Sequence, residues 1–528
     1  MMKHGFHGLY GFHRLHRFIG THLKNLCNLC NLWNPCNLWF PYGIILLAFA
    51  CSLAIYLLTL VLPYNVFDHV HRAPISLTQI AEQRHRPALL FLLTFASTFG
   101  WLILAYRACQ RAPRRGLVAP ILACGLIMAM ALAFTYPIGA GDVVDYVAQG
   151  ETLAFFGANP LVVPPANVPG ALLAGYSAYR YSTSNYGPLW TWIGAAVVRM
   201  AGNASMLPAL LGFKAVAVLA YLAQGLLVYA ILRRRDPARA PAGVLFFAWN
   251  PLVLYEFAVN GHNDAAMMAL ALLGILFWQM DRPLPMVIAL TAAFLVKVPM
   301  LPLLPLFLLS AARRRAGRRF WTTLIAGGLL AVALTGLAYL SLPSAPSTLT
   351  NLWERSGLFT FSLPTLASLA LRLAGLEEGR AQMLARSGAL LALGIWYVIQ
   401  AVRTWQRPNE TLRHAFDFLL FWLLFAVLWF QPWYVTWLVA LAALSPRPTA
   451  AAQAGLFSFT VLPAYIVYGF VWFWIAHIAN WANCLGINLI AVGISIAPVW
   501  AYTALSRSHL RSSNRYDIVQ SRPTGAPR

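Results

Sequence analysis

Charge is scarce in this chain. Only 10% of its 528 residues are Asp, Glu, Lys or Arg, against about 25% in an ordinary soluble domain, and Asp and Glu together number 15. With 60% hydrophobic residues, a soluble globule would have too few polar groups to cover its surface, so the apolar residues must face lipid. The short alternating segments of a membrane β-barrel are also missing. So are a phosphate-binding loop, a dinucleotide fingerprint, a zinc-protease HExxH and a nucleophile elbow. Cysteines number seven. Cys51, Cys109 and Cys124 lie in or beside apolar runs as small core residues. Cys27, Cys30 and Cys36 belong to a local repeat, NLCNLCNLWNPCNLW, near His22. Their spacing lacks the second ligand pair of a zinc site; a basic, aromatic tail (1–41) at the membrane interface is the simpler expectation.

What is abundant is apolar sequence. Runs of about 20 residues, enough to cross a hydrocarbon core, recur at 42–63, 88–108, 117–137, 207–232, 241–258, 263–281, 320–342, 386–403, 415–430, 432–446, 452–473 and 485–504. A further stretch, 284–312, is broken at Lys297 and Pro299 and reads as two short helices. The expected fold is an all-α integral membrane bundle of about 12–14 transmembrane helices with interfacial helices in its outer loops.

The net charge of +23 does not point to nucleic acid. Its basic residues sit in clusters at helix ends, Arg111 with Arg114 and Arg115, Arg233 to Arg235, and Arg313 to Arg319, as the positive-inside rule expects of cytoplasmic loops. A cytoplasmic N-terminus puts these clusters and a basic tail (506–528) inside, provided that 188–202 lies along the outer interface without crossing. Only the loop 64–87, with Arg72, Arg84 and Arg86, violates the rule. A first large loop (138–206), the segment Asn260 to Asp264, the break at Lys297 and a second loop (343–385) then share the outer side of a 42–505 membrane domain.

With so few acidic residues, the position of each is informative. GDVVDYVAQGE places Asp142, Asp145 and Glu151 just past a span; Asp142 and Asp145, three apart, share a helical face. They suit a general base or a carboxylate pair on a divalent cation, while Asp142 could equally cap the helix that follows. In AYRYSTSNYGPLWTW, Arg180 offers a planar fork for phosphate. Tyr186 and its neighbours offer flat faces for a sugar, or form an interfacial aromatic belt. In WNPLVLYEFAVNGHNDAAMM, Glu256, His262, Asn263 and Asp264 crowd a tight turn between two spans, where capping by Asn263 or Asp264 is the alternative. Lys297, inside an apolar run, calls for a phosphate or carboxylate partner unless it snorkels. The turn WFQPWYVTW, with Gln431, Trp433 and Tyr434, reads as interface aromatics.

In this order, GDVVDYVAQGE, GANPL, RYSTSNYGPLW, WNPLVLYEFAVNGHNDAAMM and LVKVPMLPLLPL resemble the multispan glycosyltransferases of the C superfamily, in particular the bacterial polyprenol-phosphate-mannose-dependent α-mannosyltransferases. The likeness covers about residues 130–310, with a weaker continuation to about 505. It implies a polyprenyl-phosphate sugar donor, a glycan or lipid-linked acceptor, an extracytoplasmic site in a bacterial plasma membrane and no required cofactor. The family's essential Asp of the first outer loop falls on Asp142. At the position of Asp145 the family varies between acidic and neutral residues. Lys297 and Arg180 would then hold the donor phosphate. His262, Asn263, Asp264, Tyr186 and Glu256 would bind acceptor or sugar, and Asp142 with Asp145 would be the ligands of any cation.

Three spans precede the acidic loop here, where the glycolipid-anchor enzymes of the superfamily have one. A flippase for lipid-linked sugars should show two similar halves, and no repeat of the 138–192 motifs follows residue 320. Another sugar on the same scaffold remains an open alternative, since cavity hydrogen bonds choose the sugar. A receptor or structural protein would leave the grouped outer polar residues unexplained.

Overall fold

The computed structural model describes residues 39–71, 84–111, 115–344, 359–467, 469–471 and 484–506. The tail bearing His22, Cys27, Cys30 and Cys36, together with Arg72, Arg114 and the basic segment 507–528, lies outside them. The helices are α1 (Trp39–Tyr56), α2 (His85–Arg111), α3 (Val118–Ala133), α4 (Asp142–Phe156), α5 (Pro188–Ala201) and α6 (Met206–Arg235). Next come α7 (Ala240–Ala248), α8 (Asp264–Gln279), α9 (Pro283–Val296), α10 (Leu303–Arg313), α11 (Arg318–Leu340) and α12 (Leu363–Leu373). The last are α13 (Glu378–Gln406), α14 (Thr411–Phe421), α15 (Val435–Leu444), α16 (Pro448–Val461) and α17 (Leu485–Ser495). Among the described residues the only β structure is two isolated bridges, Asn65 with Thr135 and Thr360 with Trp429.

Six helices, α1 with its extension to Val61, α2, α6, α11, α13 and the helix starting at Pro448, are long and apolar enough to cross a membrane. Two bent pairs pass that test together: α7 with Pro251–Val259, bent by 49°, and α17 with Ala497–Ser506, bent by 41°. The chain is thus an all-α, multispan membrane protein, as its composition demands. Four expected spans come out shorter: three as Val118–Ala133, Asp264–Gln279 and Pro432–Leu444, and 415–430 as α14 followed by the π turn Trp422–Ala426. α3 shows the cause. Beyond its end the backbone leaves the helix to pair with another loop, Val66 N–H with the Phe134 carbonyl and Tyr136 N–H with the Tyr64 carbonyl. Irregular backbone at membrane depth is tolerated where protein buries it and satisfies its polar groups.

Apolar pattern decides depth. Every residue of α7 and α15 is buried, as expected of helices apolar all round, and the two pack together in the centre of the bundle. α11 and α13 instead expose Leu329, Val332, Leu391 and Ile395, the large apolar side chains of a lipid-facing surface. Pro251 ends the α7 direction: Asn250 caps the turn that follows, its side-chain oxygen accepting from Leu252 and Val253 N–H. Pro299 stops α9 in the same manner. The helix ends at Val296, Lys297 is extended (φ −154°, ψ 127°), and Val298–Met300 form a 3-10 turn; Pro299 has no N–H to continue the α9 ladder. The stretch 284–312 is therefore the expected pair of short helices. α4 and α5 pack on each other, and neither is among the helices long enough to cross. α5 is the short helix expected at 188–202.

Candidate active site

Four loops meet: those after α3, before α8, after α9 and before α15. The first runs from α3 into α4 and carries Asp142. This residue is the first of the helix, but its side chain makes no capping bond, and Gly141 occupies the cap position. Instead Asp142 Oδ2 accepts from the Tyr186 hydroxyl at 3.0 Å and lies 3.6 Å from His262 Nδ1. The capping alternative is thus not realised. Its side chain keeps 17% of its surface exposed, so the carboxylate is half-buried with an open side.

Asp145, one turn on, points elsewhere. It accepts a very short hydrogen bond from the Ser177 hydroxyl. Burial, reinforced by the nearby Asp142 charge, pushes its pKa up to about 7 against those bonds. Glu151 accepts from Leu172 N–H at 3.0 Å and Leu173 N–H at 2.8 Å, which folds the segment after α4 back on that helix. Among the described residues no three His, Cys, Asp or Glu side chains are grouped to hold a metal ion.

The second loop is the hairpin between the π turn Tyr255–Val259 and α8. Gly261 has φ +69°, a conformation that favours glycine, and this lets His262 turn inward. His262 is fully buried, with Nε2 3.3 Å from Glu256 Oε2, and its ring stacks on Trp433 with centroids 4.1 Å apart. Glu256 is held by the Asn260 amide at 2.8 Å and the Tyr465 hydroxyl at 2.8 Å. Asn260 in turn accepts from Gly139 N–H at 3.1 Å, tying the hairpin to the Asp142 loop. Both imidazole nitrogens and both carboxamide atoms of Asn263 are buried without a hydrogen-bond partner among the described residues.

The third contribution comes from the break after α9. Lys297 Nζ donates to Asp264 Oδ2 at 2.7 Å, and Trp437 Nε1 donates to Asp264 Oδ1 at 2.7 Å. So the carboxylate partner that an intramembrane lysine calls for is Asp264, which makes no cap either. The ammonium also lies 5.7 Å from the centre of the Tyr186 ring and 5.3 Å from that of Tyr434, within reach of cation–π attraction. Gly187 donates to the Val296 carbonyl at 3.0 Å, and this seats Tyr186 between Lys297 and Asp142.

The expected residues Asp142, Tyr186, Glu256, His262, Asp264 and Lys297 thus converge, with Asn263 beside them. Asp145 faces Ser177, and the Arg180 guanidinium stacks 5.1 Å from the Tyr181 ring centre, outside this cluster. Two groups escaped the sequence reading. The aromatic turn that reads as interface material supplies Trp433, Tyr434 and Trp437; its signal was Pro432, which interrupts an apolar run just where the polar loops lie. The other is Lys214, fully buried in α6, whose ammonium donates to the carbonyls of Thr135 and Ala258, the segments leading to Asp142 and His262. Its signal is the one that marks Lys297, a lysine inside an apolar run.

A profile described as the alpha-(1->6)-mannopyranosyltransferase N-terminal domain matches residues 46–313. Among curated relatives, a probable alpha-(1->6)-mannopyranosyltransferase of Mycolicibacterium smegmatis is 28% identical over 158 residues, 29% of this chain and 27% of that protein. An alpha-(1->6)-mannopyranosyltransferase of Mycobacterium tuberculosis is 30% identical over 147 residues, 27% and 24% of the two chains. Alpha-(1->6)-mannopyranosyltransferase A of Corynebacterium glutamicum is 30% identical over 152 residues, 28% and 30%. The matched stretch spans less than a third of each relative's length. The profile covers half of the chain, from Asp142 through His262 to Lys297, and the chain belongs to the alpha-(1->6)-mannopyranosyltransferase family.

Proposed function

We propose that the chain is a membrane mannosyltransferase that moves mannose from a polyprenyl-phosphate donor to a hydroxyl of a glycan or glycolipid acceptor on the non-cytoplasmic face, forming an α-(1→6) linkage with inversion. One observation carries this reading: a single half-open carboxylate, Asp142, hydrogen-bonded by Tyr186 and 3.6 Å from His262 Nδ1, with the same Tyr186 ring set against the buried ammonium of Lys297. A base and a cation in one pocket suit a displacement that removes a proton on one side of the sugar and develops phosphate charge on the other.

In this mechanism the acceptor oxygen attacks the anomeric carbon in line as its proton passes to Asp142. The bond from that carbon to the phosphate oxygen breaks, and its electron pair leaves on polyprenyl phosphate. Lys297 stabilises the leaving charge; its Nζ has three donors, of which Asp264 takes one, and Asp264 with Trp437 fixes its direction. Tyr186 holds the Asp142 carboxylate, and its ring covers the ammonium. The Asn263 carboxamide, buried without a hydrogen-bond partner among the described residues, and the His262 ring, set between Asp142 and Glu256, are positions for sugar or acceptor hydroxyls. Arg180 serves the donor phosphate only if the outer loop carries it inward from Tyr181. No step demands a metal. A sugar tethered to a lipid also suits a site outside the cytoplasm, because nucleotide sugars are too polar to cross.

The test offers purified protein in lipid discs labelled polyprenyl-phosphate-mannose and, separately, nucleotide-linked mannose, with an oligomannoside acceptor. Product from the lipid donor alone, with an α-(1→6) linkage, is the expected result. Transfer from the nucleotide donor alone, or movement of the lipid between leaflets without transfer, would overturn the proposal.

A further inference from the structure

At the end of the bundle away from the acidic cluster, a cavity of about 610 Å³ lies between α2, α7 and α16. Arg239 immediately precedes α7, and the chain then runs 20 residues to Val259 before the His262 hairpin, roughly 30 Å at helical rise. The cavity and the acidic cluster are therefore on opposite sides of the protein. The mouth of the cavity carries Tyr106, Arg107, Gln110 and Arg239, and below them its walls are apolar as far as Phe99 and Phe459. A second cavity of about 280 Å³ adjoins it through Tyr106, Gln110 and Arg239.

Charge and shape together define the occupant. Arg107 is exposed and makes no ion pair among the described residues. Arg239 reaches its carboxylate, Asp236, only at 3.9 Å, while one N–H donates to the Ser445 carbonyl. The mouth thus presents two guanidinium groups with a single distant countercharge. From Arg107 to Phe99 the groove follows α2 for roughly 12 Å. Its flank is open to the bilayer, since Ile103 and Phe459, at 48% and 41% exposed, lie on its rim. A free anion would satisfy the mouth and leave the groove unfilled, and an uncharged lipid would do the reverse.

We propose that this cavity binds an anionic phospholipid, with the phosphate between Arg107 and Arg239 and one acyl chain along the groove towards Phe99 and Phe459. Basic pockets between transmembrane helices on the arginine-rich side of a membrane protein are suited to such headgroups. The sugar donor is a poor fit, because its sugar would lie on the wrong side for Asp142.

The experiment is native mass spectrometry of the full chain in detergent, with phosphatidylglycerol or phosphatidylcholine of identical acyl chains. The native chain should retain phosphatidylglycerol preferentially. Arg107→Gln should lower that retention about fivefold, the share of one surface cation. Ala452→Trp, which fills the groove from an exposed position on its wall, should lower it at least as far, with the lipid-free thermal midpoint unmoved in both. Equal retention of the two lipids, or a preference unchanged in both variants, overturns the proposal. So does displacement of phosphatidylglycerol by equimolar polyprenyl phosphate, which would make the carrier lipid the occupant. Crosslinking of Ala452→Cys to residues 1–38 would make the occupant the chain's own tail.

Discussion

A carboxylate and an ammonium that meet in an apolar interior depend on each other, since removing either leaves an uncompensated buried charge. Lys297 and Asp264, with side chains 10% and 0% exposed, are such a pair. Lys297→Met should destabilise the protein by about 3–5 kcal/mol, and adding Asp264→Leu should recover most of that. A double-mutant cycle on thermal midpoints checks this, and additive losses would deny the coupling. Asp145 makes a pH prediction. Its carboxyl is raised from 3.8 to about 7 in the folded chain, so the folded state binds the extra proton. The contribution is fully present below the unfolded value near pH 4 and is lost as pH rises to about 7. The midpoint of the native protein should therefore fall relative to that of Asp145→Asn over this window, and parallel curves would contradict it. Asp142, His262 and Lys297 could be singled out in the sequence because charge in an apolar run is costly enough to need a reason. For Trp433, Tyr434 and Trp437 the sequence offers only the break at Pro432, because an aromatic belt and a site wall have the same composition and only tertiary packing separates them.

At the scale of elements, the breaks position the site more than the helices do. The interruptions at Pro299 and in the 260–264 turn are visible in the sequence, since proline and clustered Asn and Gly forbid continuation. The bend after α7 has an equally local origin in Asn250 and Pro251, whereas the early end of α3 depends on pairing with a distant loop and is not visible. The contact between the α5 loop and α9 is equally hidden. A Cβ on Gly187 would stand 2.0 Å from the Leu295 carbonyl oxygen, backbone that cannot rotate away. Gly187→Ala should therefore cost about 1–3 kcal/mol and shift Tyr186 off Asp142. The prediction is a lower thermal midpoint together with a larger loss of transfer rate than the stability change explains; an unchanged midpoint would show that the loop is free to move.

For the whole molecule, the all-α multispan architecture was legible from composition and pattern together, because 60% hydrophobic residues arranged in runs of about 20 residues admit few other folds. Sidedness rests on the arginine clusters, and it predicts that Met200→Cys, at a position 89% exposed at the end of α5, reacts with an impermeant thiol reagent added outside intact cells. Labelling only after the cytoplasmic side is opened would reverse the orientation. The central claim is that the half-open carboxylate at the meeting of four loops takes the acceptor's proton. Its most direct test compares mannose transfer from polyprenyl-phosphate-mannose by the native chain and by Asp142→Asn under saturating donor. The account predicts a loss of about 10²–10⁴ in rate with the thermal midpoint preserved, whereas transfer by the variant at the native rate would contradict it.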